Sequence, residues 1–483
     1  MKSYLNKAMK DKYFLALLAL FIVGIFLRFY KLEGFVTFLG DQGRDAIVIK
    51  RILLFEHFPA IGAPMSIGGV YLGPFYYYFI APWLLLFNFN PIGLAFGVAF
   101  FSSLFILINY YIVKEFFDKK IALVSSFIIC FSSLLIEFSR FSWNPNLLPL
   151  FSILFVYSFI KAVLEKKYIW FIFAGSVLAL TIQLHYLALL LGVPTIIILI
   201  WEFVRDKSKK LSIILGTALM GLGFLFFSLP LIIFDLRHQF LNTNNFLKLL
   251  NNPESQAGNK IESLQLTLTQ LNSHLFNVNL PIILCLLFVL LILIFAIIYH
   301  KESKKLYFSI FTLSMLLALS LYAGERQPHY YATILPLYII SLSSLIAALL
   351  KNKIGIIIGI LTLILFVYSN SRNYYFFYLQ PSNQISNAKK IAKVIYDNVN
   401  KEKFAVTAVP LNYIALPPRY FIEFWGKKPT EQDSAVKSDE LFVICEAKCH
   451  PIGDPQWDIA FFAPNKIVGT WKVDNVTIYK LIR

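Results

Sequence analysis

The stretch PIGLAFGVAFFSSLFILINYYIVKEFFDKKIALVSSFIICFSSLLIEFSRFSWNPN (91–146) holds two apolar runs, 91–113 and 121–137, joined by the basic connection KEFFDKK (114–120). A helix rises 1.5 Å per residue, so about 20 apolar residues cross ~30 Å of hydrocarbon. The pattern recurs along the chain. Further runs lie at 13–29, 146–163, 168–184, 186–203, 211–233, 280–299, 306–323, 331–350 and 354–370, eleven in all. Composition agrees: of 483 residues, 58% are hydrophobic and 15% charged, where a soluble domain carries about 25% charged residues. The mean hydropathy is +0.67. The chain reads as an all-α polytopic membrane protein, which excludes a Rossmann enzyme, a coiled coil and a DNA-binding domain.

The formal charge of +17 then needs no nucleic acid, because Lys and Arg concentrate in cytoplasmic loops. KEFFDKK (114–120), KAVLEKK (161–167), WEFVRDKSKK (201–210), HKESKK (300–305) and KNK (351–353) alternate with SRFSWNPN (139–146), QLHY (183–186), FDLRHQF (234–240) and AGERQPHYY (323–331). The Lys-rich set joins the basic N-terminus, with Lys2, Lys7, Lys10 and Lys12, on the cytoplasmic side of the plasma membrane. That N-terminus resembles a signal sequence, but Arg28-Phe29-Tyr30-Lys31 closes the run in place of small residues, so it reads as an uncleaved first span. One run, GPFYYYFIAPWLLLF (73–87), breaks the alternation if it crosses. It is short and contains Pro74 and Pro82, so it is assigned to an interfacial or re-entrant helix. Residues 30–90 then form a first outer loop, 235–279 a second with an amphipathic stretch at 261–275, and the C-terminus is outside.

Composition changes at about Asn370, and the reading divides the chain into a transmembrane domain (1–370) and an extracytoplasmic domain (371–483). Helical spacing at 386–399 and strand-like FAVTAV (404–409), LFVIC (441–445), DIAFF (458–462) and VTIYKL (476–481) predict a small α/β fold there. Cys445 and Cys449 can pair outside the cytoplasm, whereas Cys130 and Cys285 lie in apolar runs as packing residues.

Few ionisable residues lie within the spans, which disfavours an ion-coupled transporter. Polar groups of catalytic type gather instead at the outer edge, including Glu325 and a lone surface-type His57. GDQGRDAIVIKRILLF (40–55) predicts an amphipathic helix with Ala46, Ile49 and Leu53 on one face and Lys50 and Arg51 free to reach phosphates or water. Asp41 suits the N-cap of that helix and, equally, an exposed base. Asp45 is a second carboxylate, with an ion pair to Arg44 as its plain alternative. FDLRH (234–238) sets an acid, a guanidinium and an imidazole after a span; Arg237 and His238 suit a phosphodiester, since Arg can donate two parallel hydrogen bonds. Arg140 fits a lipid phosphate, Trp143 the aromatic belt, and His185 and His329 either an interface or a donor site. There is no P-loop, no GxGxxG and no His/Cys metal spacing; a carboxylate-held divalent cation is left open.

A carboxylate soon after the first span, an amphipathic outer loop and the aromatic entry at 74–78 resemble glycosyltransferase family 39, the protein O-mannosyltransferase and aminoarabinose transferase group of the GT-C superfamily. The resemblance runs on through SRFSWNPN, QLHY, FDLRH and HYYATILP (329–336), covering roughly residues 10–350. It implies sugar transfer, with inversion, from a polyprenyl-phosphate donor to a protein, lipid or glycan acceptor outside the membrane. It implies Asp41 as the catalytic carboxylate, with Asp45 as a possible second. Arg237, His238, Arg140, His185, Arg326 and His329 then serve the donor, while Trp143, Asn144 and Tyr76 shape the acceptor side. The family's Asp-Glu pair is here Asp41-Gln42, and its Pro-Pro-Leu entry is Gly73-Pro74-Phe75. A ligase or polymerase of lipid-linked oligosaccharides is the alternative enzyme, and a lipid or sugar transporter the non-enzymatic one.

Overall fold

A computed structural model describes residues 11–65, 68–205, 210–250, 259–322, 326–431, 434, 436–447 and 449–483. Lys2, Lys7, Lys10, Glu325 and part of the WEFVRDKSKK connection lie outside the described residues. Each of the eleven apolar runs carries a helix: Lys12–Phe29, Ile92–Phe116, Lys119–Phe131 with Ser133–Ser139, Leu148–Glu165, Tyr168–Leu184, Gly192–Arg205, Lys210–Arg237, Ile282–Ile298, Ser303–Ser320, Leu335–Leu349 and Lys353–Ser371. Among the described residues, six helices have the length and apolarity to cross a membrane alone, or seven with the bent pair counted as one. The eleven-span reading therefore meets shorter helices than it expects. Tyr168–Leu184 and Ile282–Ile298 have 17 residues and Leu335–Leu349 has 15. The run at 186–203 begins as a 3-10 turn, Tyr186–Leu191, before its α-helix.

Local chemistry sets the boundaries. The Asp118 carboxylate accepts from the Lys120 and Ile121 amides at 2.7 and 2.9 Å, starting the helix Lys119–Phe131. That helix stops at Ser132, whose hydroxyl caps the next one, and the chain bends by 61°. Tyr168–Leu184 and Lys210–Arg237 pack so closely that a Cβ on Gly175 would stand 1.8 Å from the Met220 carbonyl oxygen. Small residues at such crossings let backbones approach within the membrane. The segment read as non-crossing forms a helix of only 12 residues, Phe75–Leu86, about 18 Å long.

The tail folds as a four-stranded sheet, β1 (Phe404–Val409), β2 (Glu440–Cys445), β3 (Lys466–Val473) and β4 (Val476–Ile482), in the order β1-β2-β4-β3. β1 and β2 are parallel, and the other pairings are antiparallel. The helix Gln384–Asn398 and β1, β2 and β4 match the sequence reading. DIAFF does not: Trp457–Phe462 is a helix that buries Ile459 and Phe462, three residues apart. A strand would have put them on opposite faces. β3, unanticipated, carries a register shift at Ile467/Gly469. Cys445 and Cys449 are disulfide-bonded with Cα atoms 6.0 Å apart, and Cys130 and Cys285 are free and buried.

The tail packs directly on the first long connection. Tyr420 donates to the Phe89 carbonyl at 2.6 Å, and the Phe38 amide donates to Gln384 at 2.7 Å. Phe89 stacks on Phe424. Apolar cores of the two parts merge through Phe38, Tyr420 and Phe421.

Candidate active site

The helix Gly40–Leu53 starts one residue before Asp41, so Asp41 is not its N-cap. Leu39 holds that position, and the Gln42 side chain accepts from the Leu39 amide at 3.1 Å. Asp41 is thereby released from the backbone. Its side chain is about half exposed (52%), and its only hydrogen-bonded side-chain partner among the described residues is Arg44, at 2.9 Å. The same guanidinium donates through Nε and Nη2 to Asp45 Oδ1, at 2.9 and 2.7 Å, so it bridges the two carboxylates. Asp45 is fully buried, and its Oδ2 has no hydrogen-bond partner among the described residues. Burial pushes its carboxyl above the usual range, and the Arg44 charge works against that shift. Burial also opposes the charge on Arg44, but Asp45 and Asp41 outweigh it and raise Arg44 above its ordinary value. Two carboxylates already shared by a guanidinium make a poor cation cage. Among the described residues, no three His, Cys, Asp or Glu side chains converge on a metal position.

The helix Phe75–Leu86 forms the adjoining wall. Tyr77 faces Arg44 and Asp45, and Tyr76, buried, shares a 2.6 Å hydrogen bond with Ser142. Ser142 adjoins Trp143, whose indole meets the His329 ring edge-to-face at 4.6 Å. His329 in turn lies 5.3 Å from the His185 ring and 4.7 Å from Tyr330. Three separate connections thus converge on one imidazole–aromatic cluster. Burial lowers both imidazoles, His185 to about 3 and His329 to about 4, so both are neutral near pH 7. His185 Nδ1 accepts from the Leu187 amide at 3.2 Å, which starts the following 3-10 turn. Asn144, also buried, donates to the Leu184 carbonyl at 2.6 Å and ties this corner to the same turn.

Two arginines expected at a phosphate are engaged elsewhere. Arg140 is buried and donates to the carbonyls of Leu27, Arg28 and Tyr30 at 3.0, 3.1 and 2.9 Å, closing the end of the first helix. Its guanidinium also lies 4.1 Å from the centre of the Phe376 ring. Arg326, buried, donates to Ser263 at 2.5 Å and to the Tyr322 carbonyl. It fixes the helix Lys260–Phe276, the amphipathic stretch of the second long connection. Lys50 and Arg51, expected to be free, instead bind the tail through Glu423 at 2.8 and 2.7 Å.

Arg237 and His238 differ from these. Both are exposed at the end of Lys210–Arg237, with the His238 ring stacked 4.1 Å from Phe234. Beside them Asp235 accepts from the Asn242 and Thr243 amides at 2.7 and 3.1 Å and from the Thr243 hydroxyl. Further partners were not anticipated. Asn242 accepts from the Tyr71 amide at 2.7 Å and donates to Tyr186, and Tyr186 donates to the Tyr71 carbonyl at 2.7 Å. Gln183 receives the Phe75 amide at 3.3 Å and donates to the Phe227 carbonyl at 2.8 Å. An amide two residues before a catalytic-type histidine, as Gln183 is in QLHY, was the available signal.

Residues 72–233 match the family model described as dolichyl-phosphate-mannose-protein mannosyltransferase. No curated protein sequence matches the chain. Among solved structures, ArnT from Cupriavidus metallidurans bound to undecaprenyl phosphate is similar at a TM-score of 0.60 and 11% identity, over 97% of each chain. The Archaeoglobus fulgidus oligosaccharyltransferase tethered to an acceptor peptide is similar at 0.56 and 15% identity. That match covers 87% of this chain and 64% of the oligosaccharyltransferase. The chain therefore shares the fold of these two solved structures, and its residues 72–233 are similar to the mannosyltransferase family.

Proposed function

We propose that the protein transfers a single sugar, with inversion, from a polyprenyl-phosphate donor to an acceptor on the extracytoplasmic side of the membrane. In this reading the acceptor hydroxyl attacks the anomeric carbon from the face opposite the phosphate. The bond from that carbon to the phosphate oxygen breaks, and polyprenyl phosphate leaves. Asp41 takes the hydroxyl proton, and Arg237 holds the phosphate with His238 beside it. The observation that carries the reading is Asp41 itself: half exposed, free of the backbone, and steered by Arg44 on the helix after the first span. The family-model match over 72–233 and the undecaprenyl phosphate bound by the similar ArnT support the donor class.

We also propose the N-terminus inside and the tail outside, on the strength of the Lys-rich connections. The transmembrane part is then 1–370 and the extracytoplasmic part 371–483. A phosphatase reporter that works only outside the cytoplasm, fused after Arg483, is expected to be active.

The oligosaccharyltransferase likeness favours a second reading, transfer of a whole lipid-linked glycan, and donors separate the two. Purified protein supplied with radiolabelled polyprenyl-phosphate monosaccharides is expected to consume one of them and release polyprenyl phosphate. Consumption of a diphosphate-linked oligosaccharide alone overturns the single-sugar reading.

A further inference from the structure

The helix Gly40–Leu53 has two ends with different duties. Its first turn presents Asp41, and its last turn is locked to the tail. Lys50, almost fully buried, donates to Glu423 at 2.8 Å and to Glu56 at 3.1 Å. Arg51 grips the same Glu423 with Nε at 2.7 Å and Nη2 at 2.9 Å, and Nη2 also reaches Glu431 at 2.7 Å. One buried carboxylate of the tail therefore holds two successive cations of the helix, and removing one member of such a buried set leaves charge uncompensated.

The first turn is seated on the tail as well. A Cβ on Gly40 would stand 2.2 Å from the Tyr413 ring, and one on Gly43 would stand 2.5 Å from the Pro417 backbone nitrogen. The helix thus meets the tail along its length, through glycines at the start and ion pairs at the end. Nothing in the proposed transfer needs Lys50, Arg51 or Glu423, yet their geometry bears on where Asp41 stands.

Resting on the reading of Asp41 as the base, we infer that Glu423 is a positioning residue for the reaction and that the tail sets the catalytic helix in place. Glu423 touches neither donor nor acceptor. It fixes Lys50 and Arg51, which hold the axis of the helix, while Tyr413 and Pro417 fix its first turn.

Full-length Glu423→Gln, purified in detergent, tests this with two readouts. Turnover per folded molecule is expected to fall about ten- to a hundredfold, as small misplacements of reacting groups do, while donor KM changes less than about twofold. Hydrogen exchange over 40–53 is expected to quicken about tenfold or more, with the strands β1 and β2 unchanged. Glu423→Asp, which keeps the charge, should recover part of both. Gly43→Ala attacks the same seat without touching the ion pairs and should give the same pattern if Glu423→Gln yields no folded protein. Faster exchange at 40–53 with full turnover, or exchange raised evenly through the tail, overturns the proposal. The exchange readout is independent of chemistry, so normal turnover in Asp41→Asn would instead overturn the reading on which it rests.

Discussion

GDQGRD (40–45) and FDLRH (234–238) are alike in sequence, each setting an acid within three residues of a guanidinium, yet the structure spends them in opposite ways. In the first, the guanidinium is consumed: Arg44 bridges Asp41 and Asp45, and the Asp41 carboxylate is left half exposed. In the second, the acid is consumed: Asp235 is taken by the Asn242 and Thr243 amides, and Arg237 is left exposed. A base needs the first arrangement and a phosphate site the second. The difference lies in which backbone amides need an acceptor nearby. Gln42 satisfies the start of the helix at 40 and releases Asp41, while Asp235 serves the start of Leu241–Leu250.

The largest effect that can break this comparison is at Asp41. Asp41→Asn keeps the shape and, if Asp41 is the base, lowers turnover about 100-fold or more without lowering protein level or donor affinity. Asp45→Asn on the same turn is the control, because Asp45 is buried behind Arg44. A larger turnover loss from Asp45 than from Asp41 moves the base four residues along and undoes the contrast.

Next comes the second cluster. A hydrogen bond to a charged group is worth ~1.5–3 kcal/mol, so Arg237→Ala is expected to weaken donor binding about ten- to a hundredfold. Arg237→Lys should recover only part, since an ammonium lacks the fork. Equilibrium binding of a polyprenyl-phosphate sugar measures both. Unchanged affinity in the pair of variants would leave FDLRH as a boundary anchor.

How much of this was readable beforehand follows from the range of the forces. Apolar runs and their basic connections are local, so helices at all eleven runs, a short helix within 73–87 and three of the four strands could be anticipated. Side-chain commitments depend on partners far along the chain. Arg140 looked free in SRFSWNPN because its acceptors are the carbonyls of residues 27, 28 and 30. Lys50 and Arg51 looked solvated because Glu423 lies more than 370 residues away. DIAFF misled for another reason: five residues are too few to separate a period of two from one of 3.6.

The imidazole–aromatic cluster sits between the two regions and sharpens the comparison through pH. His185 and His329 have folded values near 3 and 4, lowered by burial from about 6.5. Above the ordinary value neither state binds a proton, and stability is insensitive to these groups. Below it the unfolded chain takes up protons that the folded protein refuses, so stability falls as pH drops from about 6.5 toward the folded values. Thermal unfolding of the detergent-purified protein at pH 7.5 and 5.5 should show this loss, and it should shrink in His185→Gln. An equal loss in the variant would mean that the cluster is open to water and that its imidazoles are charged like an exposed phosphate site.

The smallest expected effect lies at the carboxylate that the second cluster has spent. Asp235→Ala removes an acceptor from two amides and a hydroxyl at the start of Leu241–Leu250. Replacing such a capping side chain by Ala costs ~1 kcal/mol. Asp235→Asn should cost less, since Asn caps about as well as Asp. Neither variant should alter turnover by more than about threefold, because a backbone-bound carboxylate is not free to take the acceptor proton. The measurement is thermal stability alongside turnover per folded molecule. If Asp235→Asn matched Asp41→Asn in lost turnover with its stability intact, both clusters would contain working acids. The division between a proton-accepting region and a phosphate-holding region would then fail at the residue where the hydrogen bonds draw it most sharply.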